Sequence, residues 1–155
     1  LLLFFTGVAR NASEIAKHQI AATPNRHKEL TAMYEMVSEA KNILTNGRNM
    51  NEFGELLHQS WLLKRSLTKH ISNNYIDEIY QTAIDAGALG GKLLGAGGGG
   101  FMLFYANSGT HASIKSALNS LLNVPFKFEQ SGSQIIFYDH QDHYKPDNKG
   151  LAVIE

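Results

Sequence analysis

From Gly95 to Gly100 the chain reads Gly-Ala-Gly-Gly-Gly-Gly, and Lys92 stands just ahead of it. Successive backbone amides that carry no side chains can curve into a concavity that binds an anion such as a phosphate. The same absence of side chains also lets a loop pack tightly beneath another loop that does the binding. Each glycine costs backbone entropy on folding and adds nothing to a core. Eight of the fourteen glycines fall within Ala86–Tyr105, a concentration that calls for positive φ, a close backbone approach or flexibility.

Two phosphate motifs fail here on context. A P-loop places G-x-x-x-x-G-K-[ST] at the start of a helix, whereas the nearby Lys92 precedes the main glycine run. A dinucleotide fingerprint also opens a helix, within a βαβ unit. Here the apolar run Phe101-Met102-Leu103-Phe104-Tyr105 follows at once and reads as a strand. Gly100-Phe101-Met102-Leu103-Phe104 echoes the strand of an RNA-recognition module, but it lacks the leading basic residue and one aromatic. The pattern that remains is strand, glycine loop, strand. The apolar flanks on both sides argue against a merely flexible hairpin tip.

The elements that must hold this loop follow from periodicity. Leu1–Thr6 reads as a buried strand ended by Gly7. Asn11 or Ser13 can cap a helix over Ala12–Ala22, broken by Thr23-Pro24-Asn25. A second helix carries Leu30, Met33, Tyr34, Val37, Ala40 and Leu44 at helical spacing and stops at Asn46-Gly47. Its Glu35, Glu39 and Lys41 read as a solvated face. A third helix is expected from a cap at Asn51 to about Thr68, with Phe53, Leu56, Leu57, Trp61 and Lys64 on one stripe and Trp61 in the core. Ser72 or Asn73 starts a fourth, with Ile76, Ile79, Tyr80 and Ala83 inward and Asp77, Glu78, Gln81 and Asp85 outward.

The period then changes to two. Lys92–Leu94 and Phe101–Ala106 are expected as strands around the glycine loop, and Ser108–Leu122 as a helix. Val124, Phe126 and Phe128 alternate as one further strand, with Gln134–Tyr138 as another and Gln130-Ser131-Gly132-Ser133 as the turn between them. Helices and strands are segregated, which predicts an α+β fold with a mainly antiparallel sheet covered by helices.

Composition bounds the partners. With 43% hydrophobic and 18% charged residues the chain is that of a folded domain with a real core. Zero formal net charge gives no footprint for nucleic acid or an anionic membrane. The longest apolar runs are far too short to span a bilayer. Without cysteine there are no disulfides or thiolate metal sites, which fits a cytoplasmic setting. Asp139-His140-Gln141-Asp142-His143 lies in a polar stretch, and adjacency alone sets no coordination geometry, so no metal site is expected there. The chain opens without Met inside an apolar run, so a piece of a longer protein is expected.

Gly90-Gly91-Lys92-Leu93-Leu94-Gly95-Ala96-Gly97-Gly98-Gly99-Gly100-Phe101 resembles the third signature motif of the GHMP kinases, the family of galactokinase, homoserine kinase and mevalonate kinase. Three further stretches narrow the resemblance. They are Leu3-Phe4-Phe5-Thr6-Gly7 with Arg10 and Ala12-Ser13-Glu14-Ile15, then Leu62-Leu63-Lys64-Arg65-Ser66-Leu67, then Ile71-Ser72-Asn73 with Ile76-Asp77. Together they are similar to the branch holding the D-glycero-D-manno-heptose 7-phosphate kinases and the kinase portion of fucokinase-type enzymes. The resemblance covers residues 1 to about 138 and leaves 139–155 as a polar tail.

That resemblance implies the C-terminal lobe of the family, α+β with a ferredoxin-like sheet and added helices. It implies an ATP- and Mg2+-dependent sugar kinase, acting on the anomeric hydroxyl of a heptose 7-phosphate. Such catalysis is mostly positioning and charge stabilisation. The family's phosphate loop of the form P-x-x-x-G-x-x-S-S, its catalytic acid and its magnesium ligand belong to an N-terminal lobe, and no such stretch occurs here. No catalytic residue is therefore expected in this chain, which alone should be inactive and, lacking its partner lobe, should self-associate. Lys92, Gly95, Ala96, Gly97, Gly98 and Gly99 would support the ATP phosphate loop. Thr6, Gly7 and Arg10 would contact substrate, Arg10 through a forked guanidinium suited to a sugar phosphate. Two other readings stay open: a fucokinase- or galactokinase-like sugar kinase, and a non-catalytic ferredoxin-like ligand-binding or regulatory module.

Overall fold

A computed structural model describes residues 1–137. Four strands form one antiparallel sheet in the order β2-β3-β1-β4. They are β1 (Leu2–Phe5), β2 (Gly90–Leu93), β3 (Phe101–Tyr105) and β4 (Leu122–Asn123). Helices α1 (Ala12–Ala22), α2 (His27–Thr45), α3 (Met50–Leu67) and α4 (Asn74–Asp85) all lie between β1 and β2, and α5 (His111–Ala117) lies between β3 and β4. With α1–α4 counted as one crossover this is the ferredoxin-like order, as expected.

The register puts Leu2 opposite Phe104 and Phe4 opposite Met102, while Gly91 faces Phe104 and Leu93 faces Met102. Alternation sends Leu2, Phe4, Leu93, Met102 and Phe104 to one face, and all five are buried. α4 meets them with Ile76, Ile79, Tyr80 and Ala83, the four positions expected to point inward. Trp61 of α3 completes a chain of aromatic contacts through Tyr80 and Phe104 to Phe4, with ring centroids about 6 Å apart. Side chains of this size each stabilise the fold by roughly 1.5–3 kcal/mol on full burial.

The β2 edge is closed by α3, which blunts an otherwise exposed strand edge. The approach is close enough that a Cβ at Gly90 would stand 2.0 Å from the Gly54 carbonyl oxygen. α2 lies outside α3. Only Ile43 of α2 is fully buried, whereas Tyr34, Val37 and Leu44 of its apolar stripe are exposed. Among the described residues no helix is long and apolar enough to cross a membrane.

Several boundaries differ from expectation. α3 is capped by Asn49, whose Oδ1 accepts from the Asn51 amide at 3.0 Å, instead of by Asn51. The helix expected over Ser108–Leu122 is a 3-10 turn at Ser108–Thr110 followed by the short α5. Asn119 and Ser120 favour turns over helix interior, and β1 captures the next residues: Val124 N donates to Leu3 O at 2.8 Å and Asn123 Nδ2 to the same oxygen at 3.0 Å. Pairing with β1 goes no further than this Val124–Leu3 bond. The strands expected at Val124–Phe128 and Gln134–Tyr138, with their hairpin turn, are absent from residues 124–137, where Phe128, Ile135, Ile136 and Phe137 are exposed. Tyr138 and the Asp139–His143 cluster lie outside the described residues.

Candidate functional site

The glycine loop spans Leu94–Gly100 between β2 and β3, and it is tied down along its whole length. Thr6, buried at the end of β1, donates from its amide and its Oγ1 to Gly100 O at 2.8 and 2.9 Å. The Gly100 amide in turn donates to Val8 O at 2.8 Å and to Thr6 Oγ1 at 3.1 Å. From α1, Gln19 Nε2 donates to Ala96 O at 2.5 Å. From α3, Lys64 Nζ donates to Gly95 O at 2.6 Å and Leu93 O at 3.1 Å.

The turn before α4 holds the far side. Gly98 N donates to Ile71 O at 2.8 Å. Asn73 uses both ends of its amide: Oδ1 caps α4 at the Ile76 amide, 3.0 Å away, and Nδ2 reaches Gly98 O at 3.4 Å. Tyr75 Oη donates to Thr6 O at 3.0 Å, joining α4 to the end of β1. Asp77 accepts from Ser72 Oγ at 2.6 Å and from Arg65 at 3.0 Å, which fixes that turn against α3.

The loop's backbone conformation needs glycine. Gly95, Gly97, Gly98 and Gly100 all have positive φ, between 70° and 125°. At Gly97 the space is also closed, since a Cβ there would stand 2.8 Å from both Cα and O of Ile71. The result is one-sided. The carbonyls of Gly95, Ala96, Gly98 and Gly100 are all taken by protein donors. Among the described residues the amides of Gly95, Ala96, Gly97 and Gly99 have no protein acceptor. A loop with its oxygens bound inward and its N–H groups uncommitted is electrostatically prepared for an anion.

The residues singled out from sequence do not all gather here. Gly7 is exposed with φ +75°, and Thr6 spends its hydroxyl on Gly100. Arg10 lines a cleft of about 270 Å³ beside Gly98, with Glu14, His18, Lys69, His70 and Asn73. Lys92 turns away from the loop. Its Nζ donates to Ser60 Oγ at 3.2 Å, and its side chain lies among Met33, Val37 and Phe53 between α2 and α3, where burial lowers its pKa. Among the described residues the cation that hydrogen-bonds to the loop is Lys64. Burial, then repulsion from Lys92, lowers its pKa to about 8. The available signal for Lys64 was its place one turn beyond Trp61 on an apolar stripe, where an ammonium needs acceptors. Among the described residues no three His, Asp or Glu side chains come together as a metal site.

The fold and site define an α+β lobe whose ferredoxin-like sheet presents an amide-lined glycine loop beside a cationic cleft. Residues 36–124 match the family described as GHMP kinases C terminal, and the chain belongs to that family. It is 32% identical over 120 residues to D-glycero-alpha-D-manno-heptose 7-phosphate kinase of Campylobacter jejuni, covering 76% of this chain and 35% of that one. It is 28% identical over 116 residues to the bifunctional fucokinase/GDP-fucose pyrophosphorylase of Arabidopsis thaliana, covering 72% of this chain and 11% of that one. Among solved structures, mevalonate kinase of L. major in complex with R-mevalonate superposes with a TM-score of 0.66 at 22% identity, over 79% of this chain and 40% of that one. The chain thus spans about a third of the heptose kinase it matches and a smaller share of the plant enzyme.

Proposed function

We propose that this chain is the C-terminal lobe of an ATP-dependent sugar kinase that phosphorylates the anomeric hydroxyl of a heptose 7-phosphate in the cytoplasm. The observation that carries the reading is the glycine loop, with four bound carbonyls and four amides without protein acceptors in a chain of the GHMP family. In this reading residues 1–138 form the lobe and 139–155 a polar tail. The loop, with Gly95–Gly99 and Lys64 behind it, supports the nucleotide's phosphates. Gly7 and Arg10 face substrate, and Thr6 holds the loop in place. Mg2+ enters with the nucleotide and is bound mainly by the N-terminal lobe, which also supplies the catalytic acid. No catalytic group comes from this chain, so alone it is inactive.

The test is ATP consumption by the full-length protein across heptose 7-phosphate, fucose and galactose. Turnover with heptose 7-phosphate at least about tenfold above the others in kcat/KM is expected, a difference of 1.4 kcal/mol in transition-state binding. Preference for fucose or galactose would move the protein to the neighbouring branch, as the similarity to the plant fucokinase allows. No turnover with any of the three would leave the non-catalytic binding module as the better reading.

A second expectation concerns the isolated lobe. Tyr34 and Val37 on α2, and Ile135, Ile136 and Phe137, are all more than 60% exposed. Apolar surface of this kind marks association sites. Sedimentation velocity should show a dimer or larger species as concentration rises, and a single monomeric species throughout would contradict it.

A further inference from the structure

We infer that the cleft beside Gly98 is a phosphate-monoester site for the sugar substrate, distinct from the amides that face the nucleotide; this rests on the kinase reading above. The chain's four arginines are unequal. Arg26, Arg48 and Arg65 each pair with a carboxylate, on Glu29, on Glu39 and Glu52, and on Asp77. Among the described residues Arg10 has no acidic partner and no hydrogen-bond acceptor, and the same holds for the Lys69 ammonium and for both imidazoles of His18 and His70. All four line one cleft of about 270 Å³.

Their positions are fixed from different elements. The Arg10 stem lies over Gly98, where a Cβ would stand 3.3 Å from its Cγ, so the absence of that Cβ leaves the stem its place. His18 on α1 stacks on His70 of the α3–α4 turn with ring centroids 3.8 Å apart and planes 13° from parallel. The His70 amide is held by Thr68 Oγ1 at 3.2 Å. The stack fixes the two rings against each other at the wall of the cleft, and an imidazole carries ring nitrogens that can donate to an acceptor there. Glu14 is the single carboxylate in the lining, against Arg10 and Lys69.

A phosphate monoester fits this set better than a carboxylate or a neutral sugar. It has three acceptor oxygens and a charge near −2, enough for a guanidinium fork, an ammonium and imidazole donors together. The cleft also lies on the Gly98 side of the loop, whereas Lys64 contacts the Gly95 side. The two cation sets therefore serve two anions, the nucleotide on one side and the substrate's own phosphate on the other.

The test uses the full-length protein and isothermal titration with heptose 7-phosphate, the unphosphorylated heptose and inorganic phosphate. The phosphorylated sugar is expected to bind about tenfold or more tightly than the unphosphorylated one. In a Arg10→Gln, Lys69→Gln double variant that ratio should fall to about threefold or less, with the heptose affinity unchanged. Inorganic phosphate should compete with the phosphorylated sugar and leave ATP affinity unaltered. His70→Asn, which keeps a donor and the loop backbone, should give an intermediate ratio. A double variant that retains the full ratio, or that loses both sugars equally, overturns the assignment, as does inorganic phosphate that displaces ATP instead of the sugar phosphate. A preference for the phosphorylated sugar that disappears in the double variant, in a protein that never consumes ATP, would refute the kinase reading and leave this site standing.

Discussion

A Gly97→Ala chain is expected to lose about 3 kcal/mol of stability, and Gly95→Ala only about 1 kcal/mol, although the two positions lie two residues apart in one loop. Gly97 has φ +125°, a region that L side chains rarely adopt, and its Cβ would meet the backbone of Ile71 at 2.8 Å. Backbone cannot rotate aside as a side-chain tip can. Relief requires the loop to lift away from Ile71, which costs the 2.8 Å hydrogen bond from Gly98 N. Gly95 has φ +70°, within the left-handed region that alanine reaches at a modest cost, and nothing lies within 4 Å of its Cβ position. In a domain of this size 3 kcal/mol lowers the melting temperature by roughly 6–12 °C. Thermal and urea unfolding of the two variants side by side measure the difference. Melting curves that coincide would mean that the loop is a loose tip and that its anchors are incidental. In the full-length protein, Gly97→Ala should also raise the KM for ATP by about tenfold or more, because lifting the loop moves the Gly97 and Gly99 amides.

The contrast between those glycines also marks the limits of reading this chain from sequence. α4 was legible because its buried positions, Ile76, Ile79, Tyr80 and Ala83, repeat at helical spacing against a polar opposite face. α2 shows a similar repeat, yet Tyr34, Val37 and Leu44 are exposed, because α2 packs outside α3 and turns only part of its stripe, with Leu30 and Met33, toward the core. Periodicity reports an apolar stripe and not what covers it. Asn49 and Asn51 could each cap α3, and only the extended backbone at Asn49 decides between them. The alternation at Val124, Phe126 and Phe128 is real, but pairing with β1 ends at the Val124–Leu3 bond, so alternation there reports a pattern and not a strand. In the site, the glycine run and Arg10 carry local motifs. Gln19 and Lys64 reach the loop from 77 and 31 residues away, and no spacing rule connects them to it. Lys92 lies next to the loop in sequence, yet its side chain leaves on the opposite face of β2, as strand alternation requires.

Lys64 gives the second large effect, in its dependence on pH. The folded chain holds this ammonium at a pKa of about 8, mainly because burial disfavours its charge and Lys92 repels it. The unfolded chain holds it near the ordinary lysine value of about 10.4. Below pH 8 both states are protonated and the folded state carries the full penalty. As pH rises from 8 towards 10 the folded state gives up its proton first, the unfolded state binds more protons, and stability increases. The full shift corresponds to about 3 kcal/mol, and because the group keeps part of its solvent exposure about 2 kcal/mol is expected. Tyr80 works in the opposite sense. Burial pushes its hydroxyl up to about 12, so stability is lost where the unfolded tyrosine ionises first, above pH 10. The reading window is therefore pH 8 to 10.

Lys64→Met keeps the stem and removes the charge. It leaves Gly95 O and Leu93 O without their donor, at a cost of about 1–3 kcal/mol that does not vary with pH. Urea unfolding at several pH values should show wild type gaining about 1–2 kcal/mol over Lys64→Met between pH 8 and 10. Parallel curves would place the titrating lysine elsewhere, and Lys92, whose pKa burial also lowers, is the group to substitute next. The same proton bears on function. An anion at the free amides of the loop favours the charged form of Lys64, so ATP affinity in the full-length protein should fall as pH rises through 8, and Lys64→Met should flatten that dependence. A nucleotide affinity that is level from pH 7 to 9 in wild type would remove Lys64 from the phosphate site, while leaving intact its role in holding the loop.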